Sequence, residues 1–406
     1  MTIRAVAATL SLALLAVRAP VTNAQSREPL GLEIGDPERK GTPLAVAVDQ
    51  IHDTRAGRDI SPDDVAATLS DAAIVLVGES HTSAESHRVQ ARIIAALQRA
   101  GRHVILGLEM FPAEAPTAPF DRWLRGGTDE ATLLRQSGWY DYWGFPFGYY
   151  RDVFALARQH RLPIRGVNAP RALVSQVGRR GLGGIGAMDR TRLPQTIDTT
   201  SDEHRQLFVA YVGGESGTHG AGMPPETLQR MIDAQSAWDA TMAFNAARLH
   251  KEANDPKAVV VVLVGSGHVA YGLGIARQAR AYTDARVATV LPVATSPASP
   301  VSVRASVADI VWGVPTETHP LYPMLGASFR TGSEPATTVM MVSPGSPADA
   351  LGLKAGDIVT AIDDTPTRRD AEVRMAMDRK QWGDAIRVVV TRGAETLTFE
   401  GHLRRR

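Results

Sequence analysis

Two short motifs in this sequence place a histidine three residues after a glycine, and each follows a run of apolar, β-forming residues. Residues 78–81 carry Glu79 and His81, and residues 265–268 end at His268. Glu109 ends a further apolar run. Two imidazoles and two carboxylates can hold a divalent metal ion with an open position, or act as paired general acid and base. Glu79, His81, Glu109 and His268 are therefore the predicted catalytic residues and, as an alternative, the predicted metal ligands.

Residues 139–150, here called the aromatic segment, hold eight Trp, Tyr or Phe residues in twelve positions. Glycine and proline within the segment exclude one continuous helix. Flat rings with phenol hydroxyls suit a planar hydrophobic ligand, and phenolate is a known ligand of haem iron. The alternative is a loop that closes the sheet edge with aromatic side chains. On the first interpretation the predicted ligand-binding residues are Tyr140, Tyr149, Tyr150, His87 and Arg151, with the arginine as a propionate partner.

The elements that position these residues alternate between apolar runs and helical patterns. Strands are predicted at residues 73–77, 103–108, 162–167, 258–264, 286–292 and 307–312. Helices are predicted at 86–100 and 226–253, and residues 25–45 are expected to form a loose arm. Such a pattern is typical of a largely parallel α/β sheet covered by helices on both faces. Ligands of open α/β sheets bind outside the carboxyl ends of the strands, so the predicted site residues should meet in one crevice there.

The pattern changes after residues 315–323, which contain three prolines and are predicted to be a linker. Short strands are expected at 339–342, 358–362, 386–391 and 396–400, with one helix at 370–378. This composition predicts two domains, an α/β domain over residues 45–315 and a small, mainly β domain over residues 320–404.

Composition and the first residues restrict the class of protein. Among 406 residues the net charge is +1, which argues against a dedicated nucleic-acid binder, and cysteine is absent, which excludes disulfides and thiolate metal sites. Arg4 is followed by an uncharged stretch at 5–17 and small residues up to Ala24. This layout predicts a cleaved signal peptide at residues 1–24 and a protein of the periplasm or cell envelope without a transmembrane segment.

The motifs around Glu79, Glu109 and His268, together with the aromatic segment, resemble the ChaN family over about residues 45–315. Gln235, Asp239, Met242 and Ala243 fit the same resemblance. The ChaN family belongs to the Tiki superfamily of haem-binding uptake proteins and is related to erythromycin esterase. The resemblance implies an envelope protein of haem binding and iron acquisition, whereas Tiki-like relatives are metal-dependent proteases. Many ChaN-like proteins are lipoproteins, but this chain lacks the cysteine that lipid attachment requires.

The last 80 or so residues resemble a bacterial PDZ domain. Residues 342–348 and 352–358 match its most recognisable stretches. By this resemblance, the loop and strand that bind a peptide carboxylate are Leu325, Gly326, Ala327, Ser328 and Phe329. The partner is then an extended peptide or a protein C-terminus, which pairs with an exposed strand edge.

Three hypotheses about function remain at this stage. The first is an exported haem-binding protein of haem or iron uptake, whose PDZ domain binds a peptide or a partner protein. The second is a metal-dependent hydrolase that uses Glu79, His81, Glu109 and His268. The third is a non-catalytic scaffold. The aromatic segment favours the first hypothesis and the paired glycine–histidine motifs favour the second, so enzymatic activity stays open.

Overall fold

The structure is a computed structural model that describes residues 27–213, 224–331 and 337–405. The predicted signal peptide at residues 1–24 lies outside the described residues. Within those ranges, no helix combines the length and the apolar character needed to cross a bilayer.

The first part of the chain builds a mainly parallel sheet, as the apolar runs predicted. The order of its strands is β3-β2-β10-β8-β4-β7-β5-β6, and the six from β10 to β6 are parallel. The strands of this part are β1 (Pro43–Val46), β2 (Ile51–Asp53), β3 (Arg58–Asp59), β4 (Ile74–Glu79), β5 (His103–Pro112), β6 (Ile164–Asn168), β7 (Ala258–Gly265), β8 (Val287–Thr295), β9 (Val301–Arg304) and β10 (Ile310–Pro315).

Helices cover both faces of the sheet, which is why its central strands carry apolar side chains on both faces. In β4, Val75 and Val77 join one buried cluster, and Ile74 and Leu76 join the cluster on the opposite face. The helices of this part are α1 (Arg27–Leu30), α2 (Val65–Thr68), α3 (Ala84–Arg99), α4 (Ala118–Leu124), α5 (Glu130–Ser137), α6 (Trp139–Tyr142), α7 (Arg151–His160), α8 (Arg171–Arg180), α9 (Ala187–Arg190), α10 (Asp202–Gly213), α11 (Pro225–Ala253) and α12 (Ile275–Ala279).

Two helices carry side chains of the crevice and follow simple rules. Helix α3 begins after Ser83, whose hydroxyl accepts a hydrogen bond from the amide of Ser86, and it buries an apolar stripe. Helix α11 begins with Pro225, which has no amide hydrogen to lose at that position, and ends at Asn254 in the left-handed conformation.

The expectation of a loose arm at residues 25–45 is wrong for its described part. Leu30 and Ile34 are buried, the Tyr271 hydroxyl donates to the carbonyl of Pro29, and β1 pairs antiparallel with β9. Burial of these apolar side chains against the body of the domain outweighs the polar composition that suggested an arm.

The second part is a separate small sheet with the order β11-β12-β13-β15-β16, and neighbouring strands are antiparallel. Its elements are β11 (Ala327–Thr331), β12 (Thr337–Val342), α13 (Pro347–Leu351), β13 (Ile358–Ile362), β14 (Thr365–Pro366), α14 (Asp370–Asp378), β15 (Ala385–Arg392) and β16 (Glu395–His402). It has its own apolar core, which includes Val339, Val359 and Val388.

Candidate functional site

Glu79 is the last residue of β4, so its carboxylate lies at the carboxyl edge of the sheet. Its oxygens lie 2.8 Å from His81 Nδ1 and accept hydrogen bonds from the Tyr150 hydroxyl at 2.5 Å and the Gln90 amide at 2.6 Å. Burial alone would raise the pKa of Glu79, but the nearby His87 and His81 and the hydrogen bonds from His81 and Tyr150 lower it to about 2. Glu79 is therefore a buried, fully partnered carboxylate.

His81 is the more open of the two motif histidines, with 29% of its side chain exposed. Burial lowers its pKa, but the hydrogen bond and negative charge of Glu79, together with Glu109, raise the pKa above its usual value. Its ring packs against Trp143 and Phe145 of the aromatic segment, with centroids 4.8 and 4.7 Å away. Nδ1 faces Glu79, and Nε2 lies on the side of Gly265, where an added Cβ atom would be 3.5 Å away.

His268 lies between two carboxylates and is engaged through both ring nitrogens. Nδ1 is 2.5 Å from Asp239 Oδ1, and Nε2 is 3.4 Å from Glu109 Oε1. Burial opposes the charged ring, but Asp239 and then Glu109 raise the pKa of His268 to about 10. Burial opposes the charged form of Asp239, but the nearby His268 and His204 lower the pKa of this carboxyl. His204 Nε2 lies 3.5 Å from Asp239 Oδ2. This group is a buried ion pair rather than an open ligand.

The Glu79–His81 pair and the group of His268 with its two carboxylates meet at Gly265, the last residue of β7. The Gly265 amide donates to Glu109 Oε2 at 2.7 Å. A Cβ atom placed on this glycine would lie 3.1 Å from His81 Cε1 and 3.7 Å from Glu109 Oε2. The absence of a side chain lets the imidazole and the carboxylate approach one backbone, so the crevice expected at the strand ends brings His81, Glu109 and His268 together.

The metal ion predicted to be shared by Glu79, His81, Glu109 and His268 stays a prediction. Over residues 27–213, 224–331 and 337–405, no group of three or more histidine and acidic side chains is arranged to hold a metal ion. The reason is pairing, since Glu79 faces His81, Tyr150 and Gln90, and Glu109 faces Gly265 and His268.

The aromatic segment consists of helix α6 and a 3-10 turn at Phe147–Tyr150, separated by an extended stretch around Pro146. All three predicted tyrosines are buried. Tyr150 donates to Glu79 and accepts from the Trp143 indole, Tyr149 accepts from the Leu321 amide, and Tyr140 accepts from the Phe147 amide. Burial raises the pKa of each of these phenols, and at Tyr150 the negative charge of Glu79 raises it further.

The other two predicted ligand-binding residues are also engaged within the protein. His87 is buried, with Nδ1 2.9 Å from Gln90 Oε1 and Nε2 3.3 Å from the carbonyl of His81. Arg151 makes two hydrogen bonds with Glu130, at 2.9 and 2.8 Å. His87 thus contacts Gln90, which itself donates to Glu79, and the Arg151 guanidinium already has a carboxylate partner.

Comparison with protein families decides the identity of the first domain. The family described as "Haem-binding uptake, Tiki superfamily, ChaN" matches residues 65–279, more than half of the chain. The chain belongs to the ChaN family. A PDZ domain matches residues 323–403, so a ChaN domain is followed here by a PDZ domain.

Solved structures agree with this fold. The ChaN structure described as "Cofacial heme binding to ChaN of Campylobacter jejuni" has a TM-score of 0.50 and 18% identity, over 64% of this chain and 95% of that chain. An erythromycin esterase, EreC, has a TM-score of 0.37 and 13% identity, over 62% and 93% of the two chains. The HtrA-type protease AlgW with a decapeptide has a TM-score of 0.20 and 19% identity, over 21% and 29%. The last two scores are too low to support an inference.

A search of curated protein sequences finds no significant match.

Among the ChaN-domain side chains that the structure describes, His81 fits the requirements of a haem-iron ligand best. Histidines that bind metals usually donate the other ring N–H to a carboxylate, which fixes the ring and raises its basicity. Glu79 has this position behind His81 Nδ1, and Trp143 and Phe145 supply flat apolar surface beside the ring. A tyrosinate from Tyr140, Tyr149 or Tyr150 would first require the aromatic segment to open, because each hydroxyl is buried and bonded.

A cavity of about 700 Å³ lies beside the crevice, at the carboxyl end of β6. Asn168, Thr241, Phe244, Asn245 and Arg190 contribute to its lining. The lining contains neither an imidazole nor a phenol, so it lacks the two types of iron ligand that the sequence suggested.

In the PDZ domain, β11 is at the edge of the sheet and helix α14 lies beside it. Of the predicted peptide-binding residues, Leu325 is buried, Gly326 has a positive φ of 76°, and Ala327, Ser328 and Phe329 begin β11. A Cβ atom on Gly326 would lie 2.2 Å from the Cβ of Ser346, so only glycine fits this loop. The edge of β11 beside α14, called the peptide groove below, is where the PDZ resemblance places an added strand.

Two members of the site are not among the predicted site residues: Asp239, which the sequence offers only as part of the ChaN resemblance, and Gln90. Asp239 lies on α11 among alanines, where an acidic residue on a buried helix face signals a buried partner. Gln90 lies one turn after His87 on α3. A spacing of three residues on a helix places both side chains on one face, but the target of that face, Glu79, is not visible in the sequence.

Proposed function

We propose that this protein binds haem at the open side of the crevice, where His81 Nε2 would hold the iron. Membership of the ChaN family supports the ligand class. The observation that carries the assignment is the His81 environment, with a buried carboxylate at Nδ1, a partly exposed ring and aromatic rings on its flanks. The iron supplies an acceptor for a ring-nitrogen lone pair.

The residues of this chain have distinct roles in that binding. Glu79 holds the Nδ1 proton and so keeps the Nε2 lone pair directed outward, while Tyr150 and Gln90 fix Glu79. Trp143 and Phe145 offer apolar surface to a flat ligand and exclude water from one side of the ring. The solved ChaN structure is described by its cofacial haem binding, which supports haem as the class of ligand proposed here.

The wider role proposed is haem or iron uptake in the cell envelope after export. Its support is the family and the first 24 residues, which have the composition of a cleaved signal peptide. The PDZ domain would then bind an extended peptide or the C-terminus of a partner along β11. A metal-dependent hydrolase is not proposed, because the described donors form internal pairs.

A haemin titration followed by absorption spectroscopy tests the assignment. The wild type should give a shifted Soret band, which His81→Ala should lose. Tyr149→Phe/Tyr150→Phe should keep the position of the band but bind haemin less tightly, because Glu79 loses the Tyr150 hydroxyl. His103→Ala, a matched control that removes an exposed imidazole paired with Asp255, should keep both the band and the affinity. Circular dichroism of each variant checks that the fold is retained. A band kept in His81→Ala and lost in the tyrosine variant would show that the ligand is a phenolate.

A further inference from the structure

The aromatic segment has two sides, and the second one faces the PDZ domain. On its inner side, Trp143 and Phe145 pack against His81. On its outer side, Arg369 Nη1 lies 2.7 Å from Asp141 Oδ1, and Arg374 Nη1 donates to the carbonyl of Tyr140 at 3.3 Å. The aromatic segment, called the crevice wall below, thus lies between His81 and the C-terminal domain.

Arg374 contacts a backbone carbonyl of helix α6. Helix α6 is a single turn, and the last carbonyls of a helix have no partner within it. A cation near this end satisfies a free carbonyl and interacts favourably with the helix dipole. Trp143 follows α6 directly, and its amide donates to the carbonyl of Trp139 at 2.7 Å. Fixing α6 therefore fixes the direction from which Trp143 reaches His81.

Further contacts hold the two domains in this arrangement. The Tyr322 hydroxyl donates to the carbonyl of Gly148 at 3.2 Å, and its ring packs edge-on against Tyr149 at 4.9 Å. The Trp382 indole of the PDZ domain donates to the carbonyl of Pro320 at 2.8 Å. The segment between the domains is thus attached at both ends, which limits the freedom of α14 to leave α6.

We propose that Arg369 and Arg374 are positioning residues of the haem site, supplied by the other domain. This rests on the proposed function. The arginines act through α6 on Trp143, and so set how well the crevice wall is preorganised for a flat ligand beside His81. The same helix, α14, forms one side of the peptide groove, so the groove and the crevice share one structural element.

The test compares the full-length wild type with the double variant Arg369→Ala/Arg374→Ala. We expect haemin affinity to fall by about 5- to 20-fold, within the usual range of coupling between separate sites. Arg369→Lys/Arg374→Lys should restore part of the affinity, because an ammonium can still reach Asp141 and the Tyr140 carbonyl. The matched control is Arg387→Ala, which removes an arginine of the same domain that pairs with Asp364, and it should change affinity by less than about twofold.

A second measurement on the same proteins is amide hydrogen exchange without haemin. Amides of residues 139–150 should exchange faster in the double alanine variant than in the wild type. Equal haemin affinity in the two proteins would overturn the proposal and leave haem binding intact. If the wild type itself fails to bind haemin, the proposed function fails, and exchange alone decides whether the arginines position the wall: faster exchange supports them, and unchanged exchange rejects them.

Discussion

Two motifs with the same glycine-to-histidine spacing end up in opposite environments. His81 has its carboxylate partner, Glu79, inside its own motif, and 29% of its side chain is exposed. His268 takes its carboxylates from elsewhere, Asp239 on α11 and Glu109 on β5, and only 10% of its side chain is exposed. The comparison shows that one motif builds an open imidazole, whereas its counterpart builds a buried ion pair that holds two elements together.

The largest expected effect is on stability. His268→Ala should lower the free energy of unfolding by about 3–5 kcal/mol, because Asp239 and its charge would stay buried without their main partner. His81→Ala should cost only about 1 kcal/mol, since Glu79 keeps the hydrogen bonds from Tyr150 and Gln90. Urea unfolding of both variants at neutral pH measures the difference. Equal losses would mean that the two histidines contribute equally to the free energy of unfolding, which would contradict the prediction.

The second largest effect is expected in the pH dependence of stability, which should depend on His268 more than on His81. The pKa of His268 is raised to about 10 in the folded protein, from an ordinary value of about 6.5. Its contribution is therefore complete below about pH 6.5 and is lost as the pH rises toward 10, by an amount on the order of a few kcal/mol.

Urea unfolding at pH 6 and pH 9.5 tests this for the wild type, His268→Gln and His81→Gln. The alkaline loss should be much smaller in His268→Gln and should largely remain in His81→Gln. A loss of the same size in the wild type and in His268→Gln would show that other groups cause it.

The smallest expected effect is at the residue where the groups meet. Gly265 has φ −56°, which alanine adopts without strain, so Gly265→Ala changes only the space beside His81 and Glu109. Its Cβ atom would press on His81 Cε1, and we expect a loss of about 1 kcal/mol in stability together with weaker haemin binding. Thermal unfolding and haemin titration measure the two. Unchanged haemin affinity would show that the crevice tolerates a shifted His81 ring.

The sequence by itself determined the local features. Apolar runs bounded by glycine and proline predicted the parallel strands, and the strand ends named Glu79, His81, Glu109 and His268, because strand direction alone sends such residues to one edge of the sheet. The ChaN and PDZ families were also recognisable from sequence motifs. Gly326 belongs to such a motif because its positive φ requires glycine.

Only the tertiary structure decided how those residues pair. Asp239 is 29 positions from His268 in sequence, and Glu79 and Tyr150 are 71 positions apart, yet both pairs are in hydrogen-bond contact. Such contacts depend on how α11 and the aromatic segment pack on the sheet, which no local spacing encodes. Burial then determined the chemistry, because it raised the pKa of the Tyr150 phenol, whereas the His81 ring stayed partly exposed.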